Sequence, residues 1–306
     1  MNCLNKCLIA LSTVICASSV LAQDISNVKQ GDVFQVTLSD LKPTQPSVGY
    51  DQVYYKLGRY QHDIEKQFDE ICEANGQKGL VSFDQNSLPA NPTSFTCEQG
   101  IGEKRKDMKT IVLAPNNQFY LTDGHHTFNT FWHMSGGGSD FKVHVVVDKD
   151  YRDLANMDQF WTALESDKNA WLYDLNNKKI SHEQLPQQMG IHNFANDPYR
   201  ALMYYSRDVS WDKPKQPVPF LEFYWAKELK PVFDLNRFDL TTEKGYMQAV
   251  KEAADVILAL DTDNLGGSGL TAKQMGQYAG FDEKEFNKMT RKTSKLNYML
   301  GYKQSL

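Results

Sequence analysis

The stretch "YLTDGHHTFNTFWHM", Tyr120–Met134, decides how the middle of this chain folds. An apolar run stops at Thr122, and Asp123-Gly124 then introduces an amphipathic pattern. Phe128, Phe131 and Trp132 recur at i, i+3 and i+4, the spacing of one buried helix face. The reading is therefore strand, tight turn, helix, with the helix over Gly124–Met134. Three of the chain's seven histidines fall inside these fifteen residues.

The elements around it complete an α/β unit. "TIVLA" and "QFYLTD" alternate like strands, and the "PNN" between them is a turn signal, so a hairpin is predicted. After the helix, "SGGGSD" is a loop and "FKVHVVVD", Phe141–Asp148, is a further strand. Upstream, "VFQVTLSDL", Val33–Leu41, reads as one strand ended by Pro43 and Pro46. The next segment, from Tyr50 to Cys72, reads as one helix with Val53, Leu57, Ile64, Phe68 and Ile71 on its apolar stripe. Residues 73–109 are rich in Gly, Asn and Pro and read as a long loop. Beyond Asp150 the pattern turns helical, in "LANMDQFWTALES", "DPYRALMYYSRD", "PFLEFYWAKEL" and "YMQAVKEAADVILAL". "DTDNLGGSG", Asp261–Gly269, is a linker; as a calcium loop it fails, because Leu265 and Ala272 stand where oxygen ligands belong. The tail over Leu270–Met289 reads as a helical hairpin.

Composition bounds the function. The first residues carry one early lysine, Lys6, an apolar run and Val20-Leu21-Ala22, the pattern of a cleaved leader over residues 1–22. The mature chain is expected to start at Gln23 and to be periplasmic or secreted, with no stretch long enough for a membrane span. Cys72 and Cys97 then remain, and an oxidising compartment pairs them. That bridge would add roughly 3–4 kcal/mol in the chain-entropy view. The formal charge of the whole chain is -5, which disfavours nucleic acid as a partner, since that binding needs clustered Lys and Arg. The basic run "EKRKDMK", Glu103–Lys109, is interrupted by acids and reads as a solvated loop.

The histidines restrict metal chemistry. His126 and His133 lie within about 20° of each other around the helix but roughly 10.5 Å apart along it, too far to share one ion. A divalent metal is therefore not supported by ligand spacing, and the sequence names no cofactor. An anion is a better fit. A helix starting at Gly124 leaves its first N–H groups open under a positive dipole end, a seat for phosphate or carboxylate. His125 and His126 could act there as acid and base, with Asp123 orienting or activating a group. The alternative is that Asp123 is simply the helix N-cap.

At these residues the chain resembles the ParB/sulfiredoxin superfamily, in its ParB-like nuclease branch. "YLTDGHHTF" is similar to that family's strand-turn-helix signature. "LSDLKPTQPSVGYDQVYYK" in front and "NDPYRALMYYSRD" with "FLEFYWAKELK" behind extend the likeness over about Asp32–Lys230. The resemblance implies an α/β (α+β) fold with a small sheet-and-helix core over residues 23–150; the helical pattern behind it gives an extension over 151–264 and a C-terminal hairpin over 265–306. It implies that Asp123, Gly124, His125 and His126 form a phosphate-binding turn. Gln45, Gly49 and Lys56 match the front block, and Asp197, Arg200 and Arg207 the rear one. Relatives use the turn on nucleoside triphosphates, but with Arg where this chain has Thr127, and sulfiredoxins with Cys where it has His125. An exported protein also lacks a triphosphate supply. The expected function is binding of a small phosphate- or carboxylate-bearing ligand, with Asp123, His125 and His126 reactive and Lys56 and Arg200 as clamps. Hydrolase chemistry of phosphodiesterase or nuclease type, or phosphotransfer, follows from that likeness. The alternative is a non-catalytic binding module, with the C-terminal helices free to meet a protein partner.

Overall fold

A computed structural model describes residues 25–216 and 218–306; the leader read over 1–22 lies outside them. A five-stranded sheet forms the middle of the fold. Its strands are β1 (Val33–Thr37), β2 (Leu41–Pro43), β6 (Lys109–Leu113), β7 (Phe119–Leu121) and β8 (Lys142–Asp150), in the order β1-β8-β6-β7-β2. β6 and β7 form the expected hairpin, and β8 runs parallel to β6. Strand β8 shows why: Val143, Val145 and Val147 are fully buried and alternate with partly exposed residues, the period of a sheet face.

Three helices cover one face: α1 (Tyr50–His62), α2 (Glu65–Ala74) and α3 (His125–His133). Phe128 and Phe131 of α3 enter a core with Val53, Leu57, Phe68, Ile71 and the β8 valines. Helix α4 (Met157–Ser166) covers the other face, where Phe160, Trp161 and Leu164 meet Val112 and Tyr120. A second large core joins α5 (Pro198–Ser206), α6 (Leu221–Leu229), α7 (Glu243–Ala259) and α9 (Lys295–Gln304). Short strands β3 (Ser47–Val48) and β9 (Ala195–Asn196) pair in parallel beside the sheet. No helix among the described residues is long and apolar enough to cross a membrane.

Four expectations are corrected. The strand expected over Val33–Leu41 is broken by a turn at Leu38–Asp40, where the Asp40 carboxylate accepts the N–H and hydroxyl of Thr37. Its halves, β1 and β2, sit on opposite edges of the sheet. The helix expected over Tyr50–Cys72 is two helices, because Asp63 takes an extended backbone and its carbonyl starts the next turn; Ile64 is left 45% exposed, off the core stripe. The segment 73–109 contains the strand pair β4 (Leu80–Ser82) and β5 (Thr96–Cys97), held by a Cys72–Cys97 disulfide at a Cα separation of 5.7 Å. The "DTDNLGGSG" linker is packed rather than free, with Leu265 fully buried and the Gly266 N–H donating to Glu228.

The tail also differs. Leu270–Tyr278 is made of turns, and only α8 (Glu283–Lys288) of the expected hairpin is helical. Helix α9 packs on α1, burying Leu296 and Met299, stacking Tyr302 beside Tyr54 and pairing Lys303 with Asp51 at 2.9 Å. Gly58 makes this approach feasible: a Cβ there would lie 2.2 Å from the Tyr298 carbonyl oxygen. Gly58→Ala should therefore cost about 1–3 kcal/mol in urea unfolding, the usual range for overpacking. Gly301→Ala, in the same helix pair but with nothing within 4 Å, should gain about 0.5–1 kcal/mol. A neutral Gly58→Ala would mean that the two helices do not touch in solution.

Candidate functional site

The turn before α3 depends on Gly124. Its backbone is left-handed, φ 102°, and a Cβ would lie 2.5 Å from the Lys109 side chain. Glycine satisfies both constraints. Gly124 is itself the N-cap residue, and no side chain caps the helix. Asp123 is therefore not the cap: its carboxylate is mostly exposed and lies 3.6 Å from Lys109. The N–H groups of His125, His126 and Thr127 have no hydrogen-bond partner among the described residues, as expected of an uncapped first turn.

Both turn histidines are buried. His125 Nε2 accepts the Thr44 N–H at 3.1 Å, and His126 Nε2 accepts the Gly49 N–H at 3.0 Å. A backbone N–H can only donate, so each Nε2 is unprotonated and each neutral ring carries its proton on Nδ1. Burial keeps them neutral. It lowers His125 to about 3, with Asp123 opposing and Arg200 adding to the drop. Burial first, and then Arg200, holds His126 well below its ordinary value. His133, further along the helix, accepts the Ile191 N–H at 3.0 Å, and Asn129 accepts that of Gly190 at 3.0 Å. The polar side of α3 is thus spent on holding two loops.

A cleft of about 760 Å³ opens in front of this turn. The expected site residues Gln45, Lys56, Asp123, Gly124, His125, His126, Arg200 and Arg207 line it, with Thr127 beside them, and Asp197 does not. Nor does Gly49; it starts α1, and a Cβ there would come within 2.9 Å of the Ala201 backbone. Lys56 reaches the turn from α1, 3.4 Å from the Thr127 hydroxyl, and is held by Glu70 of α2, which also takes Arg59 and Tyr60.

Arg200 and Arg207 do not pair with Asp197 and Asp208. Asp197 caps α5 at the Arg200 N–H and binds Lys230, while Asp208 lies near Lys295. The guanidiniums share Glu222 of α6 instead, at 3.6 and 3.7 Å. Burial pushes the Glu222 carboxyl up, but Arg200, Lys213 and Arg207 outweigh it and hold the carboxylate charged. Gln52 of α1 receives a further Arg200 hydrogen bond.

The sequence reading missed Lys109, Arg105 and Lys106, which line the cleft although their run was taken for a solvated loop. The signal was available in the hairpin. Ile111 pairs with Leu121, so the same register sets Lys109 opposite Asp123. Glu222 and Lys213 had no such signal. With them the lining holds seven Lys or Arg side chains against two carboxylates, Asp123 and Glu222. Among the described residues, no three His, Cys, Asp or Glu side chains gather as a metal site.

The family model described as "Putative ParB-like nuclease" matches residues 34–231. No curated protein matches the chain. The crystal structure of protein Atu1540 from Agrobacterium tumefaciens is similar in fold, with a TM-score of 0.54 at 18% identity over 83% of this chain and 100% of that one.

The buried histidines set an acid limb. Their folded pKa values lie below the ordinary 6.5, so on acidification the unfolded chain takes up protons first. The contribution of both is complete above 6.5 and is lost as pH falls below it, for His125 down to about 3. His126→Gln, which keeps an acceptor for the Gly49 N–H, should make that loss shallower by up to about 1.4 kcal/mol per pH unit. An unchanged slope in chemical unfolding at pH 4–6 would show that His126 is protonated in the folded chain.

Proposed function

The chain belongs to the ParB-like nuclease family, and from that premise we propose that its cleft binds a small phosphate- or carboxylate-bearing molecule at the Asp123–His126 turn. The observation that carries this reading is the set of open first-turn N–H groups facing a cleft rich in Lys and Arg. Such N–H groups and a positive dipole end select an anion without needing a charged side chain of their own. His125 and His126 act as neutral Nδ1–H donors. Lys56, Lys109, Arg200 and Arg207 supply the charge, and Thr127 adds a hydroxyl.

The reaction this arrangement serves best is phosphoester hydrolysis. Glu222 is buried between two arginines, whereas Asp123 is mostly exposed and paired with Lys109 alone, which makes it the cleft's accessible carboxylate. It would accept the proton of an attacking water, while the turn and the cations stabilise charge growing on the phosphoryl oxygens. A leader over residues 1–22 would place this chemistry outside the cytoplasm. A second reading, binding without turnover, is favoured by the locked imidazoles, which cannot exchange protons near neutral pH.

Calorimetric titration of the full chain with inorganic phosphate, followed by hydrolysis of bis(4-nitrophenyl) phosphate, tests both. Lys109→Ala and Arg207→Ala should each weaken phosphate binding about tenfold, the loss of one charge-assisted contact. Asp123→Asn should keep binding and abolish turnover. Phosphate binding without turnover in the unaltered chain would select the second reading. Absence of phosphate binding at millimolar concentration would remove the anion site altogether.

A further inference from the structure

The cations account for only part of the cleft. The same space is lined by Pro214, Val218, Pro219 and Phe220, in front of the buried Phe223. These side chains offer carbon and no hydrogen-bonding group. An anion alone has no use for them, and an apolar surface inside a charged cleft implies a ligand that covers it.

Phe220 is held there against its own backbone preference. It precedes α6 with φ 55° and ψ 27°, the left-handed region, where a bulky residue is an outlier. Its ring stays because it packs 6.1 Å from Trp171 and 6.2 Å from Phe223, and Trp171 stacks on Phe223 at 5.3 Å. The ledge is also tied to the turn. Thr44 donates its N–H to His125 and accepts the Trp171 N–H at 2.8 Å on its carbonyl. One residue therefore fixes the aromatic ledge and the anion turn relative to each other.

We propose that the ligand is a phosphate ester of a hydrophobic alcohol of about ring size: its charged group sits at the α3 turn and its apolar body lies on Phe220 and Val218. The proposal rests on the anion reading of the turn given above. Calorimetry on the full chain would compare phenyl phosphate, glycerol phosphate and inorganic phosphate. Phenyl phosphate should bind about tenfold tighter than the other two, as expected for covering one ring.

Phe220→Gly removes the ring and suits the left-handed backbone, so the fold is expected to survive. It should erase the preference for phenyl phosphate and leave inorganic phosphate affinity unchanged. Val218→Ser should reduce the preference without touching the aromatic stack. Equal affinities for the three ligands would overturn this inference and leave the anion site standing. A phenyl preference that persists in both variants would also overturn it, because the ring would then lie elsewhere. Failure of all three to bind would refute the turn as an anion site, and this inference with it.

Discussion

Backbone N–H groups donated into the side chains of α3 hold this fold in register. Thr44, Gly49 and Ile191 each give an N–H to a histidine ring nitrogen, and Gly190 gives one to Asn129. Such a bond forces the acceptor nitrogen to stay unprotonated, and burial then removes the incentive to charge the ring. A helix whose apolar side is sunk into the sheet core can in this way bury its polar side too. The consequences spread outward from these four bonds. Thr44 carries Trp171, Gly49 begins the helix that brings Lys56, and the Gly190 loop leads into β9 and α5 with its arginines.

Much of this was legible because it is local. The hairpin over 109–121, the α3 helix, strand β8 and the Cys72–Cys97 bridge each follow from periodicity, a turn signal or a count. The likeness to a family supplied the rest of the cleft membership, since nothing in the spacing of Gln45, Arg200 and Arg207 brings them together. What was not legible was set by contacts distant in sequence. The Thr37–Asp40 turn splits one strand-like run between two sheet edges. The rings of His125 and His126 are covered by a segment some eighty residues upstream, a pairing that no pattern in either segment announces. The family likeness singles out Gly49 and passes over Gly58, yet both admit a neighbouring backbone, of α5 and α9.

The charge distribution also runs against composition. The chain carries a formal charge of -5, yet its cleft gathers seven cationic side chains and two carboxylates. Screening confines the pull of such a cluster to about 8–10 Å in physiological salt. A small anion feels it only once inside the mouth. Overall charge is therefore a poor guide to the sign of a site.

The packing of α9 on α1 bears on the order in which the protein can be completed. Residues 34–231 are the part matched by the family, and α1 lies near their start. Its outer face is closed by residues 295–304, through Leu296, Met299 and the Lys303–Asp51 pair. A growing chain therefore exposes that face of α1 until α9 has been made. Bringing together segments some 240 positions apart is the kind of long-range closure that slows folding and lengthens exposure of apolar surface. Helix α9 thus closes α1, and a chain nicked before Lys295 would leave that face of α1 open to chaperones and proteases.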